Sequence, residues 1–221
     1  MCGRYTQTAE PEKLIFCFGY QNHGLKFRPR YNIAPGQEAP VVVRDGSRVL
    51  RLMHWGLVPS WAKDPSIGNR MINARAETVH QKPSFKKLLG RRRCLVLADG
   101  FYEWRKVQGG KIPMRLVLKG REPFSFAGLW DSWQRPDGGE HQSFTIITTI
   151  SNDLLKPIHD RMPVILQPEG EEKWLAPDVK DMAALVSFLK PFPSNLMEAY
   201  EVSRLVNSPM NDRPECILET N

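Results

Sequence analysis

The middle of this 221-residue chain is a succession of strand-forming segments with no helix-forming segment between them. These segments are rich in valine, isoleucine, phenylalanine, tryptophan and threonine, which favour strands, and glycine-containing turns separate several of them. They cover residues 94–98, 101–107, 113–118, 124–130 and 144–150. A parallel sheet would need helical crossovers between such strands, whereas short turns join antiparallel neighbours. The pattern therefore predicts a single α+β domain over residues 1–221 with a mostly antiparallel β-sheet.

The flanking segments fit the same fold class. Asp45-Gly46 separates two valine- and leucine-rich runs, residues 41–44 and 49–52, which is typical of a β-hairpin with a tight turn. Residues 163–166 are a further strand candidate. Amphipathic spacing predicts helices, the first of them capped by Thr8. The predicted helices cover residues 8–18, 151–156, 169–175 and 179–190.

The charge and cysteine content narrow the classes of function. Lysine plus arginine number 31 against 24 acidic residues, a formal net charge of +7. This allows binding to nucleic acid, although many enzymes without such a partner are equally basic. The cysteines are far apart with no CxxC pair, which predicts free thiols in a reducing compartment. We expect no metal, no cofactor and no membrane, since no apolar run approaches about 18 residues and no signal peptide is evident.

Cys2 has the most distinctive potential chemistry. A small residue in second position normally permits removal of Met1, so that the chain would begin with cysteine. Its α-amine would have a pKa of about 7.7–8.0 and its thiol a pKa of about 8.5, so both are nucleophiles near neutrality. Together they can condense with an aldehyde to a thiazolidine, and Gly3 would let a ligand approach closely. From Cys2 alone, however, a chance cysteine at this position is the favoured interpretation.

Three further side chains could support such chemistry, and each also has an ordinary structural interpretation. His159 could act as a general acid near pH 7, or simply bond to Asp160. Glu103 stands among aromatic residues, where its pKa could be raised so that it shuttles protons, or it could face solvent on a half-buried strand. Asn73 could orient an amine without competing for its proton, or form a turn or cap.

Arginines and tryptophans are interleaved in a way that suits phosphate contacts and the stacking of unpaired bases. The residues concerned are Arg4, Arg28, Arg30, Arg75, Arg91, Arg92, Arg93, Arg161, Trp55, Trp61 and Trp104. Taken singly, most such tryptophans belong to a core and most such arginines to solvated surface. The run at residues 91–93 is most simply a charged loop.

Several short segments, taken together and in order, resemble a known family. They are MCGRY at 1–5, YNIAPG at 31–36, WGLVP at 55–59 with Trp61, INARAET at 72–78, ADGFYEW at 98–104, IHDRMP at 158–163, and VS at 202–203 with VN at 206–207. The family is that of the SOS response-associated peptidases (SRAP), whose members shield abasic sites in single-stranded DNA. The resemblance spans nearly the whole chain. It implies a barrel-like β core flanked by short helices, and a monomer that acts in the cytoplasm, at the nucleoid, of a bacterial host.

The resemblance also implies a role for each matching position. Cys2, freed of Met1, resembles the residue that links covalently to the ring-opened sugar, and Asn73 the residue that positions its amine. Glu103 resembles the proton shuttle of the lyase-like Schiff-base chemistry, and His159 the acid that assists ring opening. The implied DNA-binding residues are Gly3, Arg4, Pro35, Trp61, Arg75 and Arg161. Among these, the arginines resemble backbone contacts, whereas Pro35 and Trp61 lie in segments that bar a second strand.

Three other functions stay open. An N-terminal-nucleophile glutamine amidotransferase also begins with Cys-Gly after Met1, although Arg4 and the Asn73, Glu103 and His159 segments argue against it. A thiol peptidase could pair Cys2 with His159, with removal of its own Met1 as one form of that activity. A basic module could also bind single strands without any chemistry.

Overall fold

The strand-rich centre of the chain folds into two β-sheets, seen in a computed structural model that describes residues 2–177, 179 and 181–220. In chain order the strands and α-helices are β1 (Tyr5–Gln7), α1 (Pro11–Phe18), β2 (Arg30–Ile33), β3 (Glu38–Asp45), β4 (Ser47–Trp55), β5 (Asn73–Arg75), α2 (Pro83–Arg91), β6 (Arg93–Ala98), β7 (Gly100–Val107), β8 (Gly110–Leu118), β9 (Phe124–Gln134), β10 (Glu140–Ile150), β11 (Arg161–Pro163), β12 (Ile165–Leu166), α3 (Pro168–Leu175), α4 (Met182–Ser187) and β13 (Met197–Glu201). Short 3₁₀ helices cover Pro65–Arg70, Ser194–Leu196, Arg204–Asn207 and Pro214–Ile217.

The larger sheet closes on itself as a barrel. Its strands follow the order β10-β4-β3-β6-β9, and β9 pairs again with β10 to complete the ring. The short strands β11 and β5 extend from β10, and β12 extends from β9. The pairings β10–β4 and β10–β5 are parallel, and the other pairings of the described strands are antiparallel. The predicted α+β class with a mostly antiparallel, barrel-like core is confirmed.

The smaller sheet brings the start of the chain into the interior. Its order is β13-β8-β7-β1-β2, so β1 lies between β7 and β2. Tyr5 of β1 stands opposite Phe101 and Ile33, and its ring meets Phe126 of the barrel edge-on at 5.8 Å between centroids. These side chains and Cys2 belong to one buried apolar cluster. The pairing of β1 within this sheet and the packing of Tyr5 against the barrel therefore fix the position of the residues just before β1.

The predicted strands and hairpin are confirmed, with one change. β3 and β4 pair around Gly46, with Asp45 opposite Ser47 and a positive φ of 70° at the glycine. The strand candidate at 163–166 is divided between β11 and β12. Val164 lies between them and bonds to both barrel neighbours, its N–H donating to Ile147 and its carbonyl accepting from Ala127.

Of the four predicted helices, those at 8–18 and 169–175 correspond closely to α1 and α3. The helix predicted at 151–156 is absent from the described residues, and the one predicted at 179–190 is shorter. α3 confirms the helix at 169–175, and α1 begins at Pro11 without a cap from Thr8. Thr8 instead gives its N–H and hydroxyl to the carboxylate of Asp99. Residues 153–156 form turns and no helix, because Pro157 has no N–H to continue the i→i+4 bond that Lys156 donates to Asn152. The helix predicted at 179–190 is reduced to α4, because Asp181 caps it at its start, while residues 178 and 180 lie outside the described residues.

The arginine run at 91–93 is not a loop. Arg91 ends α2, Arg92 caps that helix and Arg93 begins β6. The Arg93 guanidinium is buried and donates to the carbonyl oxygens of Leu89, Trp174 and Ala176. It therefore ties α2 and α3 to the barrel.

Replacing Arg93 by leucine is expected to lower the free energy of unfolding by about 3 kcal/mol or more, because several buried carbonyl groups lose their donor at once. The exposed Arg91 provides the matched control, since Arg91→Leu should change stability by no more than about 0.5 kcal/mol. Urea denaturation followed by tryptophan fluorescence measures both. Equal denaturation midpoints for the two variants would contradict the structural role of Arg93.

Within the described residues, no helix has both the length and the apolar character needed to span a bilayer. The four cysteines are free thiols, with Cys17 exposed and Cys2, Cys94 and Cys216 buried.

Candidate active site

Cys2 lies three residues before the start of β1 and is fully buried. Its Sγ atom is 4.0 Å from the carbonyl oxygen of Arg4. Burial raises the pKa of the Cys2 thiol, and the carboxylate of Glu103 raises it further. The thiol is therefore held protonated, in contrast to the low-pKa thiolates of cysteine hydrolases.

Asn73 contacts Cys2 directly. It is the first residue of β5, which is held in place by its parallel pairing with β10 at Ile146. The Asn73 Nδ2 group donates to the carbonyl oxygen of Cys2 at 2.8 Å. Its Oδ1 atom is buried and meets no donor among the described residues. Asn73 thus holds the Cys2 backbone with one end of its amide and offers an acceptor with the other.

Glu103 faces the same segment from β7. Tyr5 pairs with Phe101, and the N–H of Tyr102 donates to the carbonyl of Arg4 at 2.9 Å. Continuing this antiparallel register brings Gly3 opposite Glu103. Burial raises the pKa of Glu103 to about 7, and the nearby Asp160 carboxylate acts in the same direction. A carboxyl group with this pKa can both donate and accept a proton near neutral pH.

His159 lies in the turn between β10 and β11, beside Asp160. Its Nδ1 accepts from the backbone N–H of Arg161 at 3.0 Å and lies 2.9 Å from the Asp160 carboxylate. Burial lowers the pKa of His159. With Nδ1 accepting from Arg161 the neutral ring carries its proton on Nε2, whereas a proton on Nδ1 would be donated to Asp160 and the charged ring would have a donor at both nitrogens. Since Asp160 acts on the pKa of both Glu103 and His159, the two groups share one electrostatic environment.

The arginines predicted to bind DNA differ in their partners. Arg75, at the end of β5, is exposed. Arg161 forms a forked pair with Glu77 at 2.6 and 3.0 Å and also donates to the carbonyl of Thr148. Arg4 is half-buried, and its guanidinium donates to side-chain and backbone oxygens of the protein. Arg75 is therefore open to a ligand, whereas the other two are already oriented by protein groups.

The tryptophans also separate into different environments. Trp55 is buried in the core and stacks on Phe144. Trp104 is half-buried, and its Nε1 donates to the side chain of Asn207 at 2.8 Å. Trp61 is 60% exposed. Of the three predicted stacking residues, Trp61 is thus the one whose ring lies mainly in solvent.

Pro35 and Gly3 are both half-buried. Pro35 lies in the turn between β2 and β3. That turn is held by Gly36, which has a positive φ of 83° and donates its N–H to the carbonyl of Trp55 at 2.7 Å. Gly3 lies between Cys2 and Arg4. The register of β1 and β7, continued by two residues, brings it opposite Glu103.

A network of hydrogen bonds holds the loop that carries Trp61. The N–H of Ser60 donates to the buried Asp131 at 2.8 Å, and the indole N–H of Trp133 donates to the carbonyl of Ala62 at 2.7 Å. The N–H of Val58 donates to Ser143 at 2.8 Å. β9 and β10 therefore hold both sides of an exposed aromatic ring.

Comparison with known proteins identifies the family. The family model described as SOS response associated peptidase (SRAP) matches residues 1–209. The chain belongs to the SRAP family. The predicted family and fold are thus confirmed.

Relatives of this SRAP domain cover most of its length. "Abasic site processing protein YoqW" of Bacillus subtilis (strain 168) is 48% identical over 221 residues, which cover 98% of this chain and 99% of the relative. "Abasic site processing protein HMCES" of Gallus gallus is 36% identical, covering 87% of this chain and 67% of the relative. The crystal structure of a protein from Bacteroides thetaiotaomicron superposes with a TM-score of 0.92 at 31% identity, covering 100% of both chains.

Sequence reasoning missed several residues that shape this SRAP site. Asn32, Asp131 and Trp133 bind backbone or side-chain groups of segments distant in the chain. Asn32 lies inside a segment that the resemblance already marked, which was the one available signal. Asp131 and Trp133 carried none, because their partners are main-chain groups of a loop 71 residues earlier in the chain.

Proposed function

We propose that this protein recognises abasic sites in single-stranded DNA and captures them covalently through Cys2 once Met1 has been removed. The observation that carries the proposal is the contact of Asn73 with the backbone of Cys2, with Glu103 facing the same segment. The names of the relatives, abasic site processing proteins, support the choice of lesion. In a bacterial host we expect the protein to act as a monomer at the nucleoid.

The reaction balances without a cofactor or an oxidant. The neutral amine of Cys2 attacks the aldehyde carbon of the ring-opened sugar, a C–N bond forms, and water leaves to give the imine. The thiol sulfur then attacks the imine carbon, a C–S bond forms, and the thiol proton is transferred to nitrogen. One water is lost in total. The resulting thiazolidine contains no imine, so the neighbouring phosphate is not eliminated and the strand stays intact.

The surrounding groups supply the proton transfers that this sequence needs. The sugar is mostly a closed hemiacetal, and a donor such as Nε2 of His159 assists its opening. Glu103, with its pKa raised to about 7 by burial, protonates the departing hydroxyl and takes a proton back in the reverse direction. The open Oδ1 acceptor of Asn73 suits an amine at Cys2, whose lone pair is then directed away from Asn73. Holding both reactants at one carbon is worth up to about 7–11 kcal/mol in favourable cases.

Strand choice follows from the surface beside the site. The chain is basic, with a formal net charge of +7, which favours a phosphate backbone. Arg4, Arg75 and Arg161 are proposed to contact phosphates next to the lesion. Trp61 and Pro35 are proposed to occupy the space that a second strand would need.

Intact mass spectrometry tests the proposal. The purified protein should lack the mass of Met1, and incubation with an abasic oligonucleotide should add the mass of the oligonucleotide minus one water. No addition, combined with salt-dependent binding, would favour a binding module without chemistry. Glutamine hydrolysis, or cleavage of unrelated peptides that is lost in Cys2→Ala, would instead favour an amidotransferase or a thiol peptidase.

The loop that carries Trp61 gives a prediction about strand choice. In Trp133→Phe a smaller aromatic ring replaces the indole and the hydrogen bond to Ala62 is lost, so Trp61 is held less firmly. We expect the preference for abasic single strands over abasic duplexes to fall several-fold, with little change in the rate on single strands. The control is Trp130→Phe, because Trp130 lies between Arg51 and Arg92 and makes no indole hydrogen bond within the described residues. An unchanged preference in Trp133→Phe would argue against the role of the loop.

A further inference from the structure

Asn32 is a fully buried residue that joins β2 to both ends of the chain. Its Oδ1 accepts from Nη1 of Arg4 at 2.7 Å. Its Nδ2 group lies 3.2, 3.0 and 2.7 Å from the carbonyl oxygens of Val206, Ser208 and Asn211. The amide of Asn32 thus uses its donors on the C-terminal segment and its acceptor on the N-terminal segment.

Arg4 is oriented by these contacts. Its Nη1 donates to Val206 at 2.8 Å as well as to Asn32, and its guanidinium lies 5.9 Å from the ring centroid of Trp104. No acceptor among residues 2–177, 179 and 181–220 meets its Nη2. One terminal nitrogen is therefore anchored by protein oxygens, and the other remains able to bind an anion.

The same residue is linked to Cys2 through the backbone. The carbonyl oxygen of Arg4 accepts from Tyr102 at 2.9 Å and lies 4.0 Å from the Cys2 sulfur. A guanidinium that is fixed by Asn32 therefore belongs to the segment that carries the proposed nucleophile. Any phosphate bound by Nη2 would be held at a defined position relative to Cys2.

The C-terminal segment is itself firmly held. Asp212 accepts from the backbone N–H groups of Tyr31 and Asn32 at 2.6 and 3.0 Å and pairs with Arg30. Asp212 lies beyond the residues that the family model matches, 1–209. The segment around residues 206–212 therefore forms a fixed support against which Asn32 aligns Arg4.

We propose that Asn32 is a positioning residue that directs Arg4 to the DNA phosphate beside the abasic site. The proposal rests on the proposed function, since it concerns how the same site receives its DNA. A buried amide that uses both ends to join Arg4 to the opposite end of the chain is the observation behind it. Asn32 itself does not touch DNA, and it acts through the direction of the Arg4 guanidinium.

A double-mutant cycle tests the proposal. Asn32→Ala, Arg4→Ala and the double variant are compared for reversible binding to a single strand that contains a tetrahydrofuran abasic analogue, over a series of salt concentrations. Arg4→Ala should reduce the slope of log K against log salt by about one, as expected for one lost phosphate contact. We expect Asn32→Ala to reduce this slope by the same amount although Arg4 is present. The double variant should show no further reduction.

The opposite pattern would overturn the proposal. If Asn32 only stabilised the fold, Asn32→Ala would lower the melting temperature, keep the wild-type slope and add its effect to that of Arg4→Ala. Should Asn32→Ala fail to fold, Asn32→Ser keeps a small polar group that cannot reach both Arg4 and the C-terminal carbonyl groups, so it should also reduce the slope by about one; the wild-type slope there would equally refute the proposal. Wild-type protein that forms no adduct with authentic abasic DNA would refute the proposed function, whereas adduct formation with unchanged slopes would refute only the role of Asn32.

Discussion

Replacing Cys2 by serine is expected to abolish the heat-stable adduct with abasic single strands while leaving a transient imine. The amine of residue 2 is unchanged, so it can still attack the aldehyde and lose water. The hydroxyl of serine is a much weaker nucleophile than a thiol and does not close the ring efficiently. The imine then persists long enough for elimination of the neighbouring phosphate, so strand cleavage should increase as the adduct disappears.

Two readouts separate these outcomes for Cys2→Ser. A denaturing gel after heating should show a stable cross-link with wild-type protein and only background with the variant, while borohydride should trap an imine with both. Cys17→Ser is the matched control, because Cys17 is exposed on α1 and outside the buried cluster that contains Cys2. Equal yields of heat-stable adduct from Cys2→Ser and wild type would remove the basis of the proposed function.

The buried state of Cys2 explains why this chemistry has to be prepared by its neighbours. Burial raises the pKa of the thiol, so little thiolate exists before the substrate arrives. The imine forms first and creates an electrophilic carbon next to the sulfur. Proton removal from the thiol can then accompany ring closure, with Glu103 facing the same segment as the available base. This order also protects the thiol from oxidation in the absence of DNA.

The barrel was predictable from the sequence because its strands are long and rich in β-branched and aromatic residues. The missed strands are short, and their pairing depends on distant partners. β5 consists of Asn73–Arg75, which has no alternating apolar pattern and is a strand because it pairs with β10. α2 was missed because its apolar residues, Phe85, Leu88 and Leu89, stand among lysines and arginines that obscured the helical spacing.

The reactive residues of the candidate site were predictable from the sequence, whereas the residues that hold them in position were not. Cys2, Asn73 and Glu103 stood out through their residue types and ordered segments, and the fold brings them to one place. Arg93 and Asn32 could not be assigned, because their side chains bind main-chain carbonyl groups, which leave no trace in residue identity. Sequence reports reactive groups more readily than the groups that hold them in position.

Replacing Glu103 by glutamine is expected to lower the rate of adduct formation by about 10²–10⁴-fold and to change its pH dependence. The amine must be neutral to attack, so the rate should rise with pH through its pKa of about 7.7–8.0. Glu103 can donate a proton only while protonated, and burial raises its pKa to about 7, so the rate should fall as pH rises above that value. Wild-type protein should therefore show a bell-shaped profile, and Glu103→Gln should lose the falling side.

The same substitution should stabilise the protein at pH 8. The pKa of Glu103 is about 7 in the folded state and about 4.3 in the unfolded chain, so the folded state binds the proton more tightly. The free energy of unfolding therefore falls by up to roughly 4 kcal/mol as pH rises from about 4.3 to about 7, and it stays low above pH 7. Glutamine carries no charge to bury, so Glu103→Gln should unfold at higher urea concentration than wild type at pH 8 and show no such gain at pH 4.

Glu171 separates the two effects of Glu103→Gln. Glu171 lies on α3, outside the cluster that contains Cys2. It is also buried, and burial raises its pKa to about 7. Its carboxylate accepts a hydrogen bond from the hydroxyl of Ser125 at 2.7 Å. Glu171→Gln should therefore raise stability at pH 8 while leaving the rate and pH profile of adduct formation unchanged. A Glu103→Gln variant that gained stability but kept the wild-type rate would show that burial of this carboxyl is a cost of folding unconnected with the reaction, and the proton-shuttle role would have to be abandoned.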